Sequence, residues 1–391
     1  MENGNLKHHL VEDLLLAVTG DHTLGQVRHH IHLFAEAERI VVDEETQSVV
    51  ITRTSASKTT TDRIMFSGVG KTEREQALAL DEDILCFNVE SEPELVQLSR
   101  VASEKGKTAR VSMRINPDVD ARTHAKISTG KAENKFGIDH EDAHEVYERA
   151  ASLPRIQIKG VQMHIGSQLT SVNPFVEAVE RVVPLVAQLK SAHDIEFFSI
   201  GGGIGIVYDD ALASGQRDWW DRHDDPPLSP VTYAKKLVPL LQPLDLTILL
   251  EPGRYMAGNA GVLLTTCLYE KKGHAKTFKV VDAGMNDLIR PALYQGHHEI
   301  VPVREDEAGT RVTADVVGPI CESGDFFCQD REIADFQAND IIALMSAGAY
   351  SFTMASNYNS RPMPPEILVE GTQARIARHR QSWDDLIAPE P

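Results

Sequence analysis

Ser199–Ile200–Gly201–Gly202–Gly203–Ile204–Gly205–Ile206 follows directly on the apolar run Ile195 to Phe198. An apolar run that reads as a strand and then yields to three consecutive glycines describes backbone leaving a sheet and turning tightly. Glycine there permits close approach of an anion and lets N–H groups point at it. A plain surface turn is the bland alternative. A dinucleotide fingerprint matches poorly, because its spacing asks for glycine or alanine at 206 and Ile206 stands there. What decides between these readings is whether other strands end in the same way.

Upstream they do. Ile64–Met65–Phe66 ends at Ser67–Gly68 and is followed by helix-like text from Lys71 to Leu80. Ile84 to Val89 precedes Ser91, Glu92, Pro93 and Glu94, which open a helix with a cap, an N-terminal proline and first-turn acids. Val111 to Ile115 ends at Asn116–Pro117, and a polar loop leads to a helix over Glu141 to Ala151. Ile158 to His164 runs into Ile165–Gly166–Ser167. Asn173–Pro174 then starts a helix with Phe175, Val179, Val182, Val186 and Leu189 on one face and Pro184 inside it. Downstream, Leu246 to Leu250 ends at Glu251–Pro252–Gly253–Arg254. Strand, loop and helix thus recur with a polar or glycine-rich motif at each strand end, which predicts a (β/α)8 barrel rather than an open sheet.

The barrel is two strands short, and the deficit falls before Arg63. There, Ile40–Val41–Val42 and Val49–Val50–Ile51 read as a hairpin, too closely spaced to hold a crossover helix. His29 to Glu36 reads as helix and Ser55 to Thr61 as loop. His8, His9, His29, His30 and His32 lack the carboxylate or paired-cysteine company of a metal site, so no metal is expected. After Ala260 short apolar runs alternate with turn residues, which predicts a mostly β domain. The expected organisation is an N-terminal segment over 1–30, a barrel over 31–260 and a β domain over 261–391.

Composition narrows the class. A formal net charge of −19 argues against a non-specific nucleic-acid surface. Cys86, Cys267, Cys321 and Cys328 form no CxxC pair, and no run reaches transmembrane length. A reduced, cytoplasmic protein without a membrane segment is expected.

The strand ends carry the candidate chemistry. Ser67–Gly68–Val69–Gly70–Lys71–Thr72 approaches a nucleotide-binding loop, but Met65 occupies a position that needs glycine. Arg114, Asn116 and His164 leave strands as polar groups, or serve as structural partners. Glu251 and Arg254 put a carboxylate and a guanidinium at one strand end, suited to opposite ends of a polar planar ligand or to each other.

Taken together, His164–Ile165–Gly166–Ser167–Gln168, Gly201–Gly202–Gly203, Glu251–Pro252–Gly253–Arg254, Gly318 to Asp325 and Gly348–Ala349–Tyr350 occur in an order that resembles the pyridoxal-phosphate barrel decarboxylases, the alanine-racemase-like family. The likeness runs from Ile64 to Asp385. Ile127 to Gly130, Asn134 to Gly137 and Asp282 to Leu288 resemble the branch that converts meso-2,6-diaminopimelate to L-lysine and carbon dioxide. Related branches act on arginine, ornithine or a carboxylated polyamine.

The resemblance implies roles. His164 stacks on the cofactor ring and Glu251 faces the pyridine nitrogen. Ser167, Gly201, Gly202, Gly203 and the backbone around Pro252 and Gly253 hold the phosphate. Arg254, Arg290 and Tyr294 bind substrate carboxylates, and Glu322 reads the distant amino group. Cys321 donates a proton from the second subunit of a homodimer, and Tyr350 touches cofactor and substrate. One family feature has no counterpart. The Schiff-base lysine belongs on the first barrel strand, yet the only lysines before Lys71 are Lys7 and Lys58, and no apolar strand precedes Lys58. The missing lysine and the missing strands fall in the same region, so a catalytically inactive homologue remains an alternative.

Overall fold

The structure, a computed structural model, describes residues 39–43, 48–52, 61, 64–121, 123, 127–131, 133–222, 227–304 and 309–388. The helix expected over His29 to Glu36 lies outside these residues, as do Lys7 and Lys58. Two units are distinguished, one with the described residues up to Gly205 and from 227 to Pro252, the other with 206–222 and the residues from Gly253 onward.

In the first unit, β1 (Arg39–Asp43) and β2 (Ser48–Thr52) pair antiparallel, with Arg39 opposite Thr52 and Asp43 opposite Ser48. This is the hairpin that the short spacing demands. The larger sheet begins with β3 (Met65–Phe66), α1 (Glu73–Asp81), β4 (Cys86–Val89), α2 (Glu92–Glu104) and β5 (Ala109–Asn116). It continues through β6 (Ile138–Asp139), α3 (Ala143–Ser152), β7 (Ile156–Gln162), α4 (Asn173–His193), β8 (Phe197–Ser199), α5 (Pro230–Leu241) and β9 (Thr247–Leu249). The order is β3-β4-β5-β7-β8-β9, with every pair parallel and β6 attached to β5. Along that path the strands follow chain order, with only the two-residue β6 set aside. That sequential order is the wall of a barrel, whereas a doubly wound sheet reverses direction at a switch point.

Local chemistry explains the elements. Ser91 caps α2 by accepting the Glu94 N–H at 3.4 Å, a contact worth about 1 kcal/mol. Leu95, Leu98, Val101 and Ala102 then turn inward and are buried. On α4 the face made by Phe175, Val179, Val182, Val186 and Leu189 is buried, and the helix runs on through Pro184. Burying that face outweighs the hydrogen bond that proline removes. Tyr147 ties α3 to the sheet: its hydroxyl donates to the Gly160 carbonyl at 2.8 Å and accepts the Met113 N–H at 3.3 Å.

Lys71 settles the loop that approaches a nucleotide-binding motif. Its Nζ donates to the carbonyls of Gly68 and Asn88, both at 2.7 Å, and to Glu94 Oε1 at 2.8 Å. All three ammonium protons are used, so this buried lysine braces β3 against β4 and α2.

The second unit contains α6 (Gly253–Ala257), β10 (Leu263–Lys272), β11 (Thr277–Val281), α7 (Arg290–Tyr294), β12 (Ile300–Pro302), β13 (Arg311–Val317), β14 (Phe326–Ala334) and β15 (Ile341–Leu344). These strands form one sheet in the order β12-β15-β10-β11-β13-β14. Only β11 and β13 run parallel. Cys267, Val281, Val316, Phe327, Ile333, Phe336, Ile342 and Leu344 fill its core. A separate hairpin joins β16 (Glu366–Glu370) to β17 (Gln373–Arg378). Three strands escape sequence reading for physical reasons: β6 is only two residues long, β14 carries Gln329–Asp330–Arg331–Glu332 mid-strand, and β17 is exposed along its whole length.

Replacing Lys71 with methionine strands Glu94 in the interior. Lys71→Met is expected to lower unfolding free energy by about 3 kcal/mol, and Lys71→Met with Glu94→Gln to recover part of that loss, as read by urea denaturation.

Candidate functional site

The C-terminal ends of the parallel strands are stitched by polar side chains. From β4, Asn88 donates to Ser67 Oγ after β3 at 2.7 Å. Glu90 accepts both contacts of Arg114 Nη1 at 3.1 Å, together with the N–H groups of Gly68 and Gly137 at 3.2 Å. Arg114 Nη2 reaches the His164 carbonyl at 3.5 Å. Thr129 Oγ1 donates to that same carbonyl at 3.0 Å, and Ser128 bridges to Gly166. The Ile127–Gly130 motif is therefore a clamp on the His164–Ser167 segment.

The glycine turn closes the row. A Cβ at Gly201 would stand 2.3 Å from the Met163 carbonyl oxygen, at Gly202 2.1 Å from that of Glu251, and at Gly203 2.3 Å from that of Gly166. Three strand ends meet here at backbone contact, which only glycine allows. Gly202 donates its N–H to His164 Nδ1 at 3.2 Å, so the imidazole proton sits on Nε2. Burial, with help from the Arg114 charge, pulls His164 down to about 4 and keeps the ring neutral at neutral pH. The N–H of Gly203 has no hydrogen bond among the described residues.

Glu251 is half-buried. Its Oε1 accepts the Ser199 hydroxyl at 2.8 Å and the Gln162 amide at 3.3 Å, while no described residue hydrogen-bonds to Oε2. A carboxylate with one oxygen fixed and the other open suits a charged N–H of a ring. Gln162 Oε1 is buried without a partner.

The second unit holds a cluster of its own. Arg254 and Arg290 are buried near the Tyr208 ring, whose centroid lies 5.8 and 4.3 Å from their guanidinium carbons. Arg254 also bonds the Tyr208 hydroxyl and lies 4.9 Å from the Tyr350 ring centre. Tyr350 has φ +64°, an unfavourable value for a bulky side chain and one that collects at functional positions. Arg290 and Tyr294 bracket one short helix, α7. Cys321 and Glu322 stand exposed on a turn held by Asp325, which accepts the N–H groups of Met285 and Ile320, both at 2.6 Å. Glu322 bonds the Tyr358 hydroxyl.

The expected site residues thus fall into two groups. His164, Ser167, Gly201, Gly202, Gly203, Glu251 and Pro252 belong to the first unit; Gly253, Arg254, Arg290, Tyr294, Cys321, Glu322 and Tyr350 belong to the second. Sequence reading passed over Glu90, Gln162, Tyr208 and His298. Gln162 precedes His164 by two positions on an emerging strand and was the most legible of them. The other three acquire meaning only from their neighbours. Among the described residues no group of histidines, cysteines and carboxylates is arranged to hold a metal.

Comparison with known proteins gives a consistent answer. Residues 41–258 match the family described as pyridoxal-dependent decarboxylase, pyridoxal binding domain. Diaminopimelate decarboxylase of Aquifex aeolicus is 45% identical over 329 residues, covering 84% of this chain and 75% of that protein. The enzyme of Neisseria meningitidis serogroup A is 44% identical over 375 residues, covering 96% and 87%. The crystal structure of diaminopimelate decarboxylase from Helicobacter pylori, complexed with L-lysine, superimposes with a TM-score of 0.77 at 40% identity, over 85% of this chain and 79% of that one.

Two measurements test this geometry. Gly202→Ala is expected to lower stability by at least about 2 kcal/mol, because the contact is with backbone that cannot yield. His164 lies below its ordinary 6.5, at about 4. The unfolded chain therefore binds its proton first as pH falls. This contribution to stability is complete above pH 6.5 and is lost between 6.5 and about 4. His164→Asn is expected to flatten the pH dependence of unfolding in that window.

Proposed function

Since the chain belongs to the pyridoxal-dependent decarboxylases and, within them, to the diaminopimelate decarboxylases, we propose that its two clusters serve the decarboxylation of meso-2,6-diaminopimelate to L-lysine and carbon dioxide. Bound pyridoxal phosphate supplies the electron sink for loss of the carboxyl group. Everything else falls to the side chains.

The single observation that carries the reading is Glu251, with Oε1 fixed by Ser199 and Gln162 and Oε2 open. It keeps a pyridine nitrogen protonated. His164, neutral and pinned through Nδ1 by Gly202, offers a flat ring face for stacking. Ser167 and the backbone from Gly201 to Gly203, with that near Pro252 and Gly253, take the phosphate. The N–H of Gly203, unbonded among the described residues, supports this assignment. Arg254, Arg290 and Tyr294 bind substrate carboxylates, for which a guanidinium offers a bidentate fork, and Tyr350 closes against Arg254. Glu322 reads the distant ammonium. Cys321 Sγ holds the proton that replaces the carboxyl group at the D-configured carbon. Because Cys321 and Glu322 are exposed in the single chain, we assign them to a neighbouring subunit's site in a homodimer. The exposed and buried thiols are all free, which supports a cytoplasmic setting, and no described helix is long and apolar enough to cross a membrane.

The described residues fit the non-covalent grip, and none among them is assigned as the covalent anchor. Lys71 is the first lysine of the described chain, and its ammonium is committed to Glu94 and two carbonyls. No step is assigned to it. After incubation with pyridoxal phosphate and borohydride reduction, peptide mapping is expected to find no adduct at Lys71. An adduct at Lys58 would place the anchor in the segment before β3.

The functional assignment itself is tested by ligand choice. Protein saturated with pyridoxal phosphate is expected to bind meso-diaminopimelate in preference to L-arginine and L-ornithine. Glu251→Gln should weaken cofactor binding by about ten-fold, the scale of one charge-assisted hydrogen bond. Preference for arginine would overturn the substrate, and an unaltered Glu251→Gln would overturn the ring-nitrogen role.

A further inference from the structure

Three buried cations among the described residues are paired with carboxylates. Lys71 holds Glu94 at 2.8 Å, Arg114 holds Glu90 at 3.1 Å, and Lys279 holds Glu270 and Asp335 at 2.6 Å. Arg290 is 5% exposed, and no carboxylate among the described residues pairs with it. Its Nε is buried without a partner. Its Nη1 lies 2.7 Å from Nε2 of His298, a residue with no exposed surface.

The direction of that contact is fixed by the next one. His298 Nδ1 lies 2.7 Å from the Met345 carbonyl oxygen. A carbonyl only accepts, so Nδ1 carries the proton and Nε2 offers a lone pair to Arg290. Tyr208 completes the enclosure, edge-on to His298 at 5.3 Å and 4.3 Å from the Arg290 guanidinium carbon. Burial pulls His298 down to about 3, so the ring stays neutral. A carboxylate in this place would hold the guanidinium equally well and cancel its charge. A neutral acceptor orients it and leaves the charge to be used.

We propose that His298 is a positioning residue, one that aims Arg290 while keeping its positive charge for a carboxylate of the incoming substrate. The inference rests on the assignment of Arg290 to substrate binding.

The test compares His298→Gln with His298→Glu, two side chains of one shape and different charge, by calorimetric titration of meso-diaminopimelate into protein saturated with pyridoxal phosphate. Glutamine can accept from Arg290 and donate to Met345, and should stay within about three-fold of the parent affinity. Glutamate takes the guanidinium for itself and should lose at least about ten-fold. In an Arg290→Met background the two variants should be indistinguishable, since the coupling is then gone. His298→Leu, lacking an acceptor, should lose a similar factor and provides the comparison if the glutamate variant does not fold. A purely structural role predicts losses that follow the melting temperature and persist in the Arg290→Met background; that result would overturn the proposal. Parent protein that fails to bind meso-diaminopimelate would overturn the functional assignment and this proposal with it. Binding that is sensitive to Arg290→Met but indifferent to His298→Glu would overturn the role of His298 alone.

Discussion

Three strand ends meet at backbone contact around Gly201, Gly202 and Gly203, and most of the first unit follows from that crowding. The carbonyls of Met163, Gly166 and Glu251 occupy the places where side chains would start. With no room for a Cβ, the turn cannot drift, and the N–H of Gly202 is held against His164 Nδ1. The same closeness lets Ser199 and Gln162 reach one oxygen of Glu251 from two neighbouring strands. Fixed backbone is thereby converted into fixed side-chain chemistry, which is the condition for a preorganised site.

Charge is handled differently in its structural and functional places. Where a cation braces the fold, as at Lys71, Arg114 and Lys279, a carboxylate sits beside it. At Arg290 and Glu251, the groups proposed to meet a ligand, the hydrogen-bond partners are neutral. Arg290 leans on His298, and both it and Arg254 lie near the Tyr208 ring. Glu251 likewise draws on a hydroxyl and an amide, neither of which cancels its charge. Two neutral histidines serve as acceptors on either side of this division, His164 toward a backbone N–H and His298 toward a guanidinium. Burial lowers both, and that lets each accept a proton-bearing partner without becoming charged itself.

The sequence was legible where periodicity and punctuation were strong. The capped start at Ser91, the buried face of α4 and the hairpin of β1 and β2 were all readable from spacing and from the residues that permit or forbid a turn. The six parallel strands were visible because each ends in a glycine or polar motif. Less visible was β14, whose central Gln329–Asp330–Arg331–Glu332 offers no apolar alternation, and β17, which buries nothing. The lysine-bearing strand expected from the family resemblance was not readable at all, and Lys71, the first lysine in the described chain, proved to be a brace.

By itself the sequence determined the βα rhythm, the family and the identity of His164, Glu251, Arg254, Arg290 and Cys321 as groups worth following. Those are properties of residue type and order, which a linear reading captures. Tertiary structure alone decided which oxygen of Glu251 is open, which nitrogen of His164 carries the proton, and that Arg290 has a histidine where Lys71, Arg114 and Lys279 have a carboxylate. These depend on residues far apart in the chain, such as Gln162 with Glu251 or Arg290 with Met345 through His298. A hydrogen bond has a direction and a length of about 3 Å, and neither is written in sequence spacing until the backbone has brought the partners together.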